Sequence, residues 1–430
     1  MKQDGLRLDQ APPLSVPLRF FLTAPVFPVL AAAVLAWLGP SVFVSRWSGP
    51  MLALTHLMTL GFLALVMVGA LMQLLPVLAG APVPRPRLVS GVVHALLASG
   101  VLALGVGWLR PHPGLLRTAL VLLGCGFAVF IAAAGASLWR ARANSSVWAM
   151  RLALAALVAT LVLGIGLLLA QGGGAGLPPQ RHWTRLHLGW GLIGWVALLI
   201  TGMAYQVVPM FQLTPSYPRW MQNWLAPLMF FALCGWTAGL IFTPAGPAAS
   251  IFATIAATGL AAFAAATLFL QHKRRRRLPD VTTRFWRIAM ASLLAALALW
   301  LYGRGGQRLE LLIGVLMIVG FASSAVHGML YKIVPFLAWL HLQGRRIRGT
   351  LPTMKDILPD RRTLPHPWIH GAAILALAAA CLAPEIWVYP AAAATALSYG
   401  WLGWNLVTAA IRYRRAVRAH VSAGGGRHVA

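Results

Sequence analysis

Acidic residues are nearly missing from this sequence, with seven Asp and Glu among 430 residues. They are Asp4, Asp9, Asp280, Glu310, Asp356, Asp360 and Glu385, all in loops or at the ends of apolar runs. A carboxylate-driven ion pump needs a carboxylate at membrane depth, and acid–base hydrolysis commonly needs a close carboxylate pair. Neither is available. Cysteine is equally scarce: Cys125, Cys234 and Cys381 lie in separate apolar runs, with no CxxC. Packing is the expected role of all three, and no disulfide or thiolate metal site follows. Phosphate-binding loops and nucleophile motifs are also missing. The polar first twenty residues lead directly into an apolar span without a cleavage pattern, so no signal peptide is expected.

Charged residues make up only 10% of the chain and hydrophobic ones 59%. An ordinary soluble domain carries about 25% charged residues, so a chain this apolar takes lipid as its solvent. Apolar runs near 21–40, 51–78, 88–109, 117–139, 150–171 and 186–212 predict six spans. Runs near 222–243, 250–271, 286–303, 309–340, 367–384 and 387–410 predict six more. Each has roughly the 20 residues needed to cross the hydrocarbon core. The expected fold class is therefore an all-α polytopic membrane protein of about twelve helices, one membrane domain over residues 1–430.

The formal charge of +28 could suggest nucleic acid, but its distribution points elsewhere. Alternate loops and the two termini hold 27 Lys and Arg, including Arg85, Arg87, Arg140, Arg142, Arg219, the run 273–277 and the segment 345–362. The other loops hold seven: Arg46, Arg110, Arg117, Arg181, Arg185, Arg304 and Arg308, with Lys332 inside a span. Positive charge marks the cytoplasmic side, so residues 1–20 and the tail 411–430 are both expected there. The basic loops then face an anionic cytoplasmic leaflet rather than nucleic acid.

An internal repeat is the most informative feature. Span two contains Gly61-Phe62, Gly69, Gln73 and Pro76; span six contains Gly194-Trp195, Gly202, Gln206 and Pro209. Span ten contains Gly320-Phe321, Gly328, Lys332 and Pro335, so all three fit G-[FW]-x6-G-x3-[QK]-x2-P without gaps. The copies are offset by 133 and 126 residues, four spans each time, which makes the repeats parallel. A triplicated four-helix unit predicts a pseudo-threefold ring with spans two, six and ten on its inside. Small residues bring helices close, and the prolines loosen the helix ends. Gln73, Gln206 and Lys332 are expected one turn below the second glycine, facing a polar interior, with Lys332 snorkelling to the surface as the competing outcome.

Of twelve histidines, His112, His182, His272, His366, His420 and His428 read as loop or surface residues. His341 and His370 lie near span ends and are weak candidates. His56 and His187 sit near the outer ends of spans two and six, where an imidazole must hydrogen-bond or bind a metal. Relative to the second glycine they differ by two residues, about 200° of rotation on a helix. They can therefore face one another or separate pockets. His94 and His327 stand alone deeper in spans three and ten, where a hydrogen-bonded core imidazole is the simpler role; His327 is a third metal candidate.

Twelve spans in three arcs resemble the catalytic subunit of haem–copper oxidases. GALMQLLPVLAGAPVPRPR at 69–87 is similar to the end of that family's second helix, and HGMLYKIVPFL at 327–337 to the end of its tenth. The family's copper-ligating motifs are missing, since Ile313-Gly314-Val315 stands where span ten should carry His-x-His, and span seven has no His pair. The resemblance therefore implies no complete oxygen-reducing centre. A closer resemblance is to the NnrS family, haem- and copper-containing membrane proteins linked to nitric oxide tolerance. His56, Gly61, Gly69 and Pro76 have that family's spacing, although Leu54 and Leu57 replace the first His and the Glu of its His-x-His-Glu. The resemblance implies haem b and copper as cofactors, His56 and His187 as their ligands, and an electron-transfer protein as partner. It also implies a bacterial inner membrane and a role in nitric oxide response or respiratory electron chemistry. Two alternatives stand beside it: a cofactor-free transporter or channel with a threefold polar path through Gln73, Gln206 and Lys332, and a non-catalytic partner of a respiratory complex.

Overall fold

The computed structural model describes residues 10–171, 181–244, 246–275, 278, 280–303, 306–344 and 351–425. Among these the chain is helical, without strands. The basic residues Arg276, Arg277, Arg304, Arg345, Arg346 and Arg348, and His428 in the tail, lie outside the described residues. Among the described residues, eleven helices are long and apolar enough to cross a membrane. They are α1 (Ser15–Val44), α2 (Gly49–Val77), α3 (Pro86–Leu109), α4 (Pro113–Arg140), α5 (Ser145–Gln171) and α6 (His182–Gln212). Then follow α7 (Met221–Phe242), α8 (Ala248–His272), α9 (Val281–Tyr302), α10 (Gly306–Gln343) and α11 (Asp360–Leu382). A further helix, α12 (Pro384–Gly425), continues through most of the expected tail.

Local chemistry sets the boundaries. Ser48 accepts from the amide of Met51 at the start of α2, and Asp280 from that of Thr283 at the start of α9. These caps satisfy amides that a helix start leaves without a partner. Gly80 and Gly303 end α2 and α9 in the left-handed conformation, at φ 60° and 67°. Large apolar side chains such as Trp37, Trp139, Trp224 and Phe242 stand on the outside, where lipid rather than water would meet them.

The repeat has a direct structural counterpart. Helices α2, α6 and α10 each contain an eight-residue π-helical segment: Leu57–Ala64, Trp190–Ala197 and Leu316–Ser323. The segments are offset by the same 133 and 126 residues as the motif, and its first glycine is the fifth residue of each. Both glycines dock each helix onto the one before it. A Cβ on Gly61 or Gly69 would strike Phe27 or Phe20 of α1, and one on Gly194 or Gly202 would strike Ala156 or Ala149 of α5. On Gly320 or Gly328 it would meet Ser292 or Phe285 of α9. Two docks share a hydrogen bond, from Ser146 Oγ to the Gly202 carbonyl at 3.0 Å and from Thr282 Oγ1 to the Gly328 carbonyl at 2.9 Å. Neighbours repeat with the same period: α3 packs on α4, α7 on α8, and α11 on α12, while α12 returns to α1.

Candidate functional site

Below the π segments, α2, α6 and α10 surround a cavity of about 90 Å³. Its wall includes Val66, Leu199 and Ala325; Met67, Ile200 and Val326; Ala70, Met203 and Met329; and Leu74, Val207 and Ile333. Each trio occupies equivalent places in the repeat, so the three helices present one face to a common centre. That face is apolar throughout. Gln73, Gln206 and Lys332 each precede a wall residue by one position, about 100° around the helix, and they do not line it. Gln73 is buried beside the cavity with Oε1 lacking a partner, and Gln206 is half-buried. Lys332 Nζ turns to Asp280 at 3.0 Å, the carboxylate that caps α9. The expected polar face is thus replaced by an aliphatic one, and the lysine finds its counter-charge at the helix end rather than in a cavity.

His56 and His187 come together. Their rings are 6.2 Å apart between centroids and 20° from parallel. His56 Nδ1 donates to the Leu52 carbonyl at 2.8 Å, and His187 Nδ1 to the Thr160 carbonyl of α5 at 3.0 Å. A carbonyl acceptor fixes the tautomer, so Nε2 of each ring keeps its lone pair. Trp108 of α3 leans on His56 at 4.7 Å, and a Cβ on Gly164 would come within 2.8 Å of His187. Neutral rings held through Nδ1 with Nε2 free are the donors a haem iron or copper ion takes. The donor set fits such a group in chemistry: two neutral imidazoles, each with Nε2 free. The central cavity does not, because ligand pockets run from about 300 Å³ upward.

A second cluster joins α10, α11 and α12. His327, expected alone, is fully buried with its ring 4.4 Å from that of His370 and 5.2 Å from that of His366. His366 and His370 are fully buried too, which corrects the surface reading of the first and the weak standing of the second. They sit at i and i+4 on the inner face of α11, a spacing that was available as a signal in HPWIH. Tyr331, Ser398, Tyr399 and Asn405 complete the cluster, and none was singled out from the sequence. As a metal centre it offers one free donor, since the His366 and His370 nitrogens all have hydrogen-bond partners and only His327 Nε2 has none. His94 behaves as expected of a core imidazole, bonding Thr23 Oγ1 at 3.0 Å. Comparison with protein-family models and with curated protein sequences finds no match.

Proposed function

We propose that this chain is a haem- or copper-binding protein of a bacterial inner membrane, related in function to the NnrS family. In this reading twelve spans form three pseudo-symmetric four-helix arcs, both termini are cytoplasmic, and an electron-transfer protein is the partner. The observation that carries it is the His56–His187 pair, brought together from two repeats with Nδ1 of each ring on a main-chain carbonyl. Such a pair would hold the group through Nε2, and the group would supply one-electron or nitric oxide chemistry. Trp108 and the close approach at Gly164 would keep both rings from turning away. Oxygen reduction is not expected, because residues 313–315 of α10 are Ile, Gly and Val.

An optical spectrum of the purified chain tests the reading. A Soret band should be present, and His56→Ala or His187→Ala should abolish or strongly shift it, whereas His94→Ala should not. If both variants keep the wild-type spectrum and metal content, the assignment fails. The transporter alternative draws less support, because the shared face of α2, α6 and α10 is aliphatic.

A further inference from the structure

The cluster between α10, α11 and α12 contains an unbroken chain of polar groups that the outer histidine pair does not use. Its directions can be read from its ends. Asn405 Nδ2 reaches the Arg362 carbonyl at 3.4 Å, which fixes the amide, and donates to the Tyr331 hydroxyl at 3.0 Å. Tyr331 must then spend its own proton on His366 Nδ1, 2.6 Å away. With Nδ1 accepting, the neutral His366 ring carries its proton on Nε2 and donates to Ser398 Oγ at 3.2 Å. Ser398 has one proton to give, and His370 Nδ1 takes it at 2.8 Å. That leaves the His370 proton on Nε2, facing the Val319 carbonyl at 3.3 Å and Ser324 Oγ at 3.1 Å. Both main-chain carbonyls therefore enforce one direction, and every donor from Tyr331 onward points away from the Arg362 end.

The chain finishes beside a base. His327 donates through Nδ1 to the Ser323 carbonyl at 2.7 Å, so its Nε2 holds a lone pair, and that atom is buried without a partner. Phe62 and Phe285 pack on the ring, each at 5.4 Å, and Tyr399 stands edge-on at 4.9 Å. Its equivalents in the other repeats are Val68 and Thr201, so the repeat does not require an imidazole there.

We propose that Tyr331, His366, Ser398 and His370 form a proton relay leading from the Arg362 end of α11 to His327. In one passage the Tyr331 O–H breaks as His366 Nδ1–H forms, and His366 Nε2–H breaks as the proton moves to Ser398 Oγ. The Ser398 proton passes to His370 Nδ1, and His370 Nε2, turning from Val319 and Ser324, releases its proton to His327 Nε2 on the neighbouring ring, 4.4 Å away between centroids and joined to it by no hydrogen bond at rest. An incoming proton restores Tyr331, so one proton enters and one arrives on His327 as imidazolium. His366 and His370 are left as Nδ1–H tautomers that must turn over, and His327 must release its proton, before the next passage; no oxidant or reductant takes part. A purely structural network would tie the three helices equally well but would not conduct.

Magnetic resonance of full-length protein with ¹⁵N-labelled histidine, in lipid, tests this without any metal. Nε2 should carry the proton in His366 and His370, and Nδ1 in His327. After transfer to D2O, Ser398→Ala should slow exchange of the His370 Nε2 proton about tenfold or more, whereas Ser398→Thr should restore it. Unchanged His56 and His187 signals would show that the variant is folded. Exchange at His370 indifferent to the Ser398 hydroxyl, or a proton on His366 Nδ1, would overturn the relay. Neither outcome bears on haem or copper at the outer pair.

Discussion

Lys332 shows how a single charge settles in an apolar chain. A lysine facing lipid at depth costs about 2.5–3.5 kcal/mol, so the side chain must find water or a counter-ion. It reaches Asp280 at 3.0 Å, with 28% of its own side chain and 14% of the carboxylate's exposed. Burial pushes the Asp280 carboxyl up, but the Lys332 ammonium and the hydrogen bonds from Thr283 outweigh it and hold the group below its ordinary value. A carboxyl lowered by folding stabilises the native state above its unfolded value, about 3.9, and loses that contribution as pH falls through the folded one. Thermal unfolding in detergent should therefore show a drop in midpoint below about pH 4 that Asp280→Asn lacks. At neutral pH the same variant should cost about 1–2 kcal/mol, between an exposed and a buried pair. Equal acid sensitivity in both proteins would remove the pair from the stability of the bundle. The lysine was legible as an anomaly, but its partner was not, because Asp280 is 52 residues away in a loop that reads as surface. The same limit hid the histidine cluster: His366 and His370 stand near a span end in sequence, and only the seating of α11 against α10 and α12 buries them.

At the scale of helices, the repeat was readable because its glycines are spaced without gaps, and the docking of α2, α6 and α10 follows from them. The π segments were not readable. Nothing in G-[FW] announces a wide turn, and each becomes visible only as the place where the helix rides over its predecessor. Wide turns of this kind are frequent at functional sites, and here they lie just above the shared cavity. The docking makes a comparative prediction. Gly202→Ala places a methyl on Ala149, and Gly320→Ala places one 2.6 Å from the Ser292 Cβ. Overpacking of this order costs about 1–3 kcal/mol, so both variants should unfold at lower temperature. Gly371, with open space around it in α11, should accept Ala without loss and gain up to about 1 kcal/mol from helix propensity. If all three variants behave alike, close approach at the motif glycines is not what fixes these helices.

At the scale of the molecule, two asymmetries describe the chain: apolar side chains face outward as well as inward, and basic residues crowd alternate connections. The first follows from composition and was visible before any helix was placed. The second predicts a direction across the membrane, because Lys and Arg are retained on the cytoplasmic side. The connection from α4 to α5 carries Arg142, on the side with 27 basic residues, and the one from α3 to α4 carries Arg110, on the side with seven. One helix, Pro113–Arg140, separates them. In a chain whose Cys125, Cys234 and Cys381 are replaced by Ala, Arg142→Cys and Arg110→Cys should therefore meet a membrane-impermeant maleimide from opposite faces. Intact cells should label the Arg110 site and inverted vesicles the Arg142 site. Reversed labelling would turn the whole bundle over and place the Arg362 end of α11 outside, so the relay would then draw protons from the other compartment. Labelling of both sites from one face would mean that α4 does not cross, and the four-helix period would lose the member that brings α5 back to the level of α1.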